Sequence, residues 1–182
     1  MAMTDAQVVR RVVAGDVEGF ALLVDRYHAR CLRVATHLVG DGDDAEDAVQ
    51  EAFVRAYQHL GSYRERDRFG GWLMRIVVNQ CRTQVVRHRN RADRHAASDD
   101  AELHAVDRNS AATDAIDRRV ELERALQRLS PEQREAVVLR FADDLSFDEM
   151  SSVTGVGVSA LKMRVQRACT RLRALLPERL HA

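Results

Sequence analysis

Proline and aromatic side chains are what this chain has least of, with two prolines, one tryptophan and 5% aromatic residues in 182 positions. So few prolines leave helices free to run long, and the dominant residues, Ala, Leu, Val, Arg and Glu, favour helix as a set. Alternating apolar runs flanked by turn dipeptides are missing, so strands are not predicted and the expected fold class is all-α. No stretch reaches the roughly 18 apolar residues that a membrane span requires. The segment from Met1 to Arg11 lacks the apolar core of a signal peptide, which predicts a cytoplasmic protein. Cysteine is too sparse for a disulfide framework: Cys31, Cys81 and Cys169 are odd in number and far apart, and are expected as reduced, partly buried side chains. His28 and Cys31 stand at i, i+3, but two ligands do not make a zinc site. No metal or cofactor is expected. Lysine is nearly absent as well, with Lys162 the single one among 28 basic residues.

What is present in abundance is charge, and its order along the chain carries information. Net charge is zero, yet the balance runs −4 over residues 1–60, +6 over 61–95, −7 over 96–157 and +5 over 158–182. Two basic blocks separated by acidic ones predict two contacts with a polyanion, with acidic surface left for another partner. Much of the second acidic block reads as solvated linker and scaffold.

Helical periodicity organises the chain. Asp5 to Ala14 reads as a short helix, and Asp16 as an N-cap for the next, with Phe20, Leu23, Val24, Tyr27, Cys31, Val34, Ala35 and Leu38 at helical spacing. After Gly40-Asp41-Gly42, Ala45, Ala48, Val49, Ala52, Phe53, Ala56, Tyr57 and Leu60 form an unbroken apolar stripe. Asp43 or Asp44 is the expected cap of this helix. Its opposite face carries Glu46, Asp47, Gln50, Glu51 and Arg55. A polar, arginine-rich loop from Gly61 to Arg68 leads into a helix from Phe69 to about Arg89, with Arg75, Asn79, Arg82 and Arg87 on its polar side. Residues 93–118 are rich in Asp, Arg, Ala and Ser and read as a flexible linker. The predicted units are therefore 1–92 and 119–182.

The C-terminal unit is punctuated by two boxes, Ser130-Pro131-Glu132-Gln133 and Ser146-Phe147-Asp148-Glu149. Gly155 can close the short helix between them and the last one, for which Ser159 is the expected cap. The last helix has Leu161, Val165, Ala168, Leu172 and Leu175 on one side and Lys162, Met163, Arg164, Gln166 and Arg167 toward its N-terminus. A capped short helix, a glycine turn and a cationic helix form a helix-turn-helix pattern, whose second helix reads base edges in the major groove. By spacing, Lys162, Gln166 and Met163 face the bases. Tyr63, Phe69 and Trp72 beside arginines suit an unpaired strand, where bases stack on rings, although Phe69 and Trp72 also fit a core.

The run Asp44-Ala45-Glu46-Asp47-Ala48-Val49-Gln50-Glu51-Ala52-Phe53, the pattern Phe69-x-x-Trp72-Leu73-x-x-Ile76-x-x-Asn79, the run Leu129-Ser130-Pro131-Glu132-Gln133-Arg134 and the terminal helix-turn-helix stand in this order. Together they resemble the extracytoplasmic-function sigma factors of bacteria over nearly the whole chain except the linker. The resemblance implies a two-domain helical initiation factor without catalysis of its own. Sigma region 2 would place Asp47, Gln50, Glu51 and Arg55 on the clamp helices of the largest subunit of core RNA polymerase. Tyr63, Arg68, Phe69, Arg75, Asn79 and Arg82 would meet the opened −10 element, the loop from Tyr63 to Phe69 lying near a flipped base. Region 4 would read the −35 element through Ser159, Lys162, Met163, Arg164, Gln166 and Arg167, with Arg140 on a phosphate, and would meet the polymerase flap. An anti-sigma protein is the implied regulator. The lack of a long extension after Leu176 predicts no appended regulatory domain. Thr83, Ala160 and Met163 depart from the family pattern, and Met163 favours an apolar contact such as a thymine methyl. A helix-turn-helix regulator that acts without replacing the sigma subunit is the alternative. A metal hydrolase using Asp41, Asp43, Asp44, Glu46 and Asp47 is a weaker one, since helix capping explains several of those carboxylates.

Overall fold

The computed structural model describes residues 3–64, 68–96 and 114–176, and their side chains except at 89, 91–96 and 114–118. Among them run α1 (Asp5–Val13), α2 (Ala21–Val39), α3 (Gly42–Gln58), α4 (Phe69–Ala96), α5 (Asp114–Gln127), α6 (Pro131–Val137), α7 (Phe147–Thr154) and α8 (Val158–Leu175). Short 3-10 turns occur at Val17–Phe20 and Leu60–Ser62, and a π turn at Val138–Ala142. No strand occurs among the described residues, so the architecture is all-α, as the composition predicts.

Local chemistry sets most helix ends. Ser130 with Gln133, and Ser146 with Glu149, form reciprocal capping boxes at α6 and α7. Thr4 with Gln7 forms a third at α1 that the sequence reading missed. Gly40 and Gly155 end α2 and α7 in the left-handed conformation, with φ of 90° and 73°. Two expected caps are corrected. Asp41, not Asp43 or Asp44, caps α3 by accepting from the amides of both at 3.0 Å, because Gly42 already has helical geometry. Gly157, not Ser159, precedes α8: its carbonyl accepts from the Leu161 amide at 3.0 Å, which leaves Ser159 exposed inside the first turn. Helical structure enters the segment read as a linker from both sides. Helix α4 continues to Ala96 and α5 begins at Asp114, in keeping with the helix propensity of Ala and Arg. Residues 97–113 lie outside the described residues.

Helices α2, α3 and α4 pack on one another. Ala45, Ala48, Ala52 and Ala56 are fully buried on α3 and let its neighbours approach closely, around Leu23, Val34, Val49, Leu73 and Val77. In the C-terminal part, α6 and α7 pack on α8. The two parts share a core: α4 packs on α7 and α2 on the π turn. Ala136, Val138, Leu139, Leu145, Met150 and Val153 belong to the same buried cluster as Leu73 and Val77. Each large aliphatic side chain buried there contributes about 1.5–3 kcal/mol.

One buried cation binds two helix ends together. The Arg134 guanidinium donates to the carbonyls of Leu126 at 3.0 Å and Gln127 at 3.0 Å on α5, and of Leu38 at 2.9 Å on α2. Carbonyls in the last turn of a helix lack intrahelical donors and sit at the negative end of its dipole. Arg134 satisfies both needs at once. At the same place an added Cβ on Gly40 would stand 2.2 Å from the side-chain nitrogen Nε2 of Gln127, which would have to move aside.

Candidate functional site

Three surfaces carry the residues that the sequence singles out. On α3, Asp47, Gln50, Glu51 and Arg55 are all exposed, because Ala48, Val49, Ala52, Phe53 and Ala56 take the inner face. Glu51 and Arg55 pair along the helix at 3.0 Å. Val54 sits exposed among them, an apolar centre in a charged rim. Sequence reading missed it, although its place off the apolar stripe was the available signal. The acidic residues at the start of α3 have local duties: Asp41 caps the helix and Asp44 meets His88 Nδ1 of α4 at 2.6 Å.

On α4, Arg75, Asn79 and Arg82 are exposed and follow one another at i, i+4 and i+7, so they share a face. Their partners come from the C-terminal part. Arg82 donates from Nε and Nη2 to the two carboxylate oxygens of Glu135 at 2.7 and 2.8 Å, and from Nη1 to Asn79 Oδ1 at 3.2 Å. The hydrogen bond with Glu135 raises the Arg82 pKa above its ordinary value. Arg75 donates to the Ser152 carbonyl at the end of α7, from Nε at 2.9 Å. Thr83, one of the departures from the family pattern, bonds back to the Asn79 carbonyl at 3.0 Å.

Beside this face Tyr63, Phe69 and Trp72 form an aromatic corner with ring centroids 5.5–5.7 Å apart. Phe69, expected to touch DNA, is corrected to a core residue. It is 2% exposed and packs on Tyr27 as well, so it supports Tyr63 and Trp72 and offers no ring face to a base. Arg68 is open to solvent, with Glu149 at 3.7 Å. Residues 65–67 of the loop thought to flank a flipped base lie outside the described residues.

On α8, burial of Leu161, Val165, Ala168 and Leu172 turns Ser159, Lys162, Met163, Gln166 and Arg167 outward, while Arg164 is half-buried. The Phe147 ring lies under two cations, Arg140 at 5.6 Å and Lys162 at 5.7 Å from its centroid. Arg140, expected on a phosphate, is half-buried and donates to the Leu145 carbonyl at 2.9 Å. That hydrogen bond orders the loop that carries α7.

A fourth surface was not legible in the sequence. Leu122, Leu126, Val138, Phe141, Cys169 and Leu172 line an apolar groove of about 670 Å³ among α5, the π turn and α8. Phe141 is 64% exposed there, because the π turn rotates it off the inner face of α6. Cys31 and Cys81 are deeply buried, and burial pushes both thiols up to about 12.

An arginine-faced helical bundle beside a helix-turn-helix defines a DNA-binding transcription factor. Comparison with known proteins narrows the class. The family model described as Sigma-70 region 2 matches residues 23–91, and that described as Sigma-70 region 4 matches residues 119–172. The RNA polymerase sigma-H factor of Pseudomonas aeruginosa is 33% identical over 172 residues, covering 90% of this chain and 89% of the relative. The ECF RNA polymerase sigma factor SigM of Mycobacterium tuberculosis is 33% identical over 173 residues, covering 95% and 85%. Among solved structures, the sigma factor RpoE of Bartonella quintana in complex with the anti-sigma factor NepR superposes with a TM-score of 0.66 at 27% identity, covering 84% of this chain and 95% of that one. The chain belongs to the extracytoplasmic-function sigma factors of RNA polymerase. It is an alternative sigma factor, a transcription initiation factor that works with core polymerase on promoter DNA. No helix among the described residues is long and apolar enough to cross a membrane.

Proposed function

We propose that residues 1–92 bind core polymerase and open the −10 element, that 119–182 read the −35 element, and that 93–118 join them. The exposed face of α3, Asp47, Gln50, Glu51 and Arg55 around Val54, docks on the clamp helices, with an apolar centre and a charged rim that suit a protein interface. Arg75, Asn79 and Arg82 hold the non-template strand through phosphate contacts, and Tyr63, supported by Phe69, stacks on an extruded base. On duplex DNA, Lys162, Gln166 and Met163 face base edges, while Arg164 and Arg167 hold phosphates. The Phe141 groove takes an apolar helix of the polymerase flap, because its lining is aliphatic and aromatic and it opens to solvent.

The observation that carries this reading is the outward set on α8: one helix offers Lys162, Met163, Gln166 and Arg167 to solvent while four apolar residues anchor it. Promoter selectivity then comes from joining two weak readers on one chain. The factor changes the affinity of polymerase for particular DNA and performs no bond chemistry itself, so it is not an enzyme. It works in the cytoplasm, where polymerase and promoters are. An anti-sigma protein, the kind of partner bound by the solved relative, regulates it by masking these surfaces.

Run-off transcription with core polymerase on genomic promoters tests the reading. Core polymerase with the full chain is expected to start at defined sites at which core polymerase alone does not. Absence of specific starts would overturn it, and tight, salt-dependent binding of duplex promoters by the free protein would favour the regulator that acts without replacing sigma.

A further inference from the structure

Lys162, the single lysine of the chain, stands in the first turns of α8, where every other cation is an arginine. Its ammonium meets the ring of Phe147, the first residue of α7, at 5.7 Å from the ring centroid. The Arg140 guanidinium lies 5.6 Å from the same centroid. The two cations are held differently. Arg140 also donates to the Leu145 carbonyl at 2.9 Å and stands 3.8 Å from Asp144. Lys162 makes no hydrogen bond or ion pair among the described residues, so the ring is what holds it. The ring itself is fixed from both sides. Ser146 and Glu149 close the capping box around the backbone of Phe147, and the side chain is half-buried against the core cluster that includes Leu145 and Met150.

We propose that Phe147 is a positioning residue for promoter reading, whose ring aims the Lys162 ammonium at base edges of the −35 element. The inference rests on the assignment of Lys162 to those edges. A lysine ammonium is a point charge on a flexible four-carbon stem and has no direction of its own, whereas the arginine fork has one. An aromatic face supplies that direction, because its quadrupole attracts a cation placed over it. Confining the stem before DNA arrives lowers the rotamer entropy that binding must remove. The ammonium carries three N–H groups. The ring takes the side turned toward α7, and the donors on the other side stay free for acceptors in the major groove. Docking on DNA strips water from the ammonium, and a desolvated cation–π contact is stronger than a wet one. The contact is therefore kept in the complex and adds to recognition instead of competing with it.

The test uses holoenzyme rebuilt from core polymerase and the full chain, with Phe147 replaced in turn by mono-, di- and trifluorophenylalanine. Fluorine withdraws electron density from the ring face with little change of shape, so the packing of Phe147 is preserved. The readout is the ratio of holoenzyme affinities for a promoter with a matched −35 element and for one with that element replaced. The ratio is expected to fall with each added fluorine, to about a third of its starting value at the trifluorinated ring. Phe147→Leu, which keeps apolar bulk and removes the aromatic face, should lower the ratio by a similar factor, and Phe147→Tyr should keep it near the parent's. In a Lys162→Met background, which keeps the stem and removes the charge, none of these changes should move the ratio. The fluorinated series decides the matter if Phe147→Leu does not fold. An unchanged ratio on fluorination, or an equal fall with and without the Lys162 charge, would overturn the proposal. A rise would overturn it too, since the ring would then be competing with DNA. The underlying assignment is read separately, because Lys162→Met alone must lower the ratio. If it does and fluorination changes nothing, the positioning role fails alone; if it does not, the assignment of Lys162 to base edges fails.

Discussion

Helices α4 and α8 carry similar cationic faces in opposite circumstances. On α8, Lys162, Gln166 and Arg167 stand in solvent, with packing confined to the other side of the helix. On α4, Arg75 and Arg82 are engaged by a carbonyl and a carboxylate from more than 50 residues away. The difference fits the roles proposed for the two helices. A recognition helix docks on duplex DNA as it stands, so leaving it open costs nothing in selectivity. A strand-binding face left open would hold any unpaired nucleic acid, because phosphate contacts are blind to sequence.

Substitutions can break this contrast from its foundation outward. Arg134→Ala removes three hydrogen bonds to carbonyls at two helix ends and is expected to cost on the order of 3–5 kcal/mol, seen as a lowered midpoint in thermal or urea denaturation. Phe69→Ala should cost about 3 kcal/mol through the cavity it leaves under Tyr63 and Trp72, and with it −10 opening. If Phe69 touched DNA instead of the core, opening would suffer with little loss of stability. Lys162→Ala should leave stability within about 0.5 kcal/mol yet weaken −35 recognition by about 1–3 kcal/mol if it contacts a base. That outcome is measured as loss of discrimination between matched and mismatched promoters. Charge reversal at Asp47 and Glu51 is expected to lower core affinity by roughly 2 kcal/mol, with DNA recognition by preformed holoenzyme unaffected.

A smaller effect comes from acid. The Ser146 amide and hydroxyl hold Glu149 below the ordinary glutamate pKa. A depressed carboxyl stabilises the folded chain above its unfolded pKa, and that contribution fades as pH falls through the folded value. Denaturation followed below about pH 5 should therefore show a Glu149→Gln variant losing less stability than the parent. Thiol reagents offer a finer probe still: Cys169 in the groove should react before Cys31 and Cys81, which are buried and whose thiols are pushed up to about 12. A flap-derived peptide that fills the groove should slow the Cys169 reaction.

Features set within a few residues were legible in the sequence. The boxes at Ser130 and Ser146, the turn at Gly155 and the alanine stripe of α3 depend on spacing along one helix. Ser159 was misplaced because Gly157 can begin a helix with its backbone alone. The family signature led to the sigma class, and the outward residues of α3 and α8 followed from helical period. The partners of Arg30 and Arg82 did not, since Asp143 and Glu135 lie 113 and 53 positions away and nothing local marks them. For the same reason the second acidic block read as solvated surface, although Glu135 and Asp143 within it are buried. The Phe141 groove escaped because a π turn leaves no trace in apolar period.

The buried guanidinium of Arg134 has a thermal consequence. It joins the end of α2 in the N-terminal part to the end of α5 in the C-terminal part, so melting either part breaks the Arg134–Leu38 hydrogen bond that links it to the other. The free chain should absorb heat in a single cooperative transition, although its family signature divides it into two.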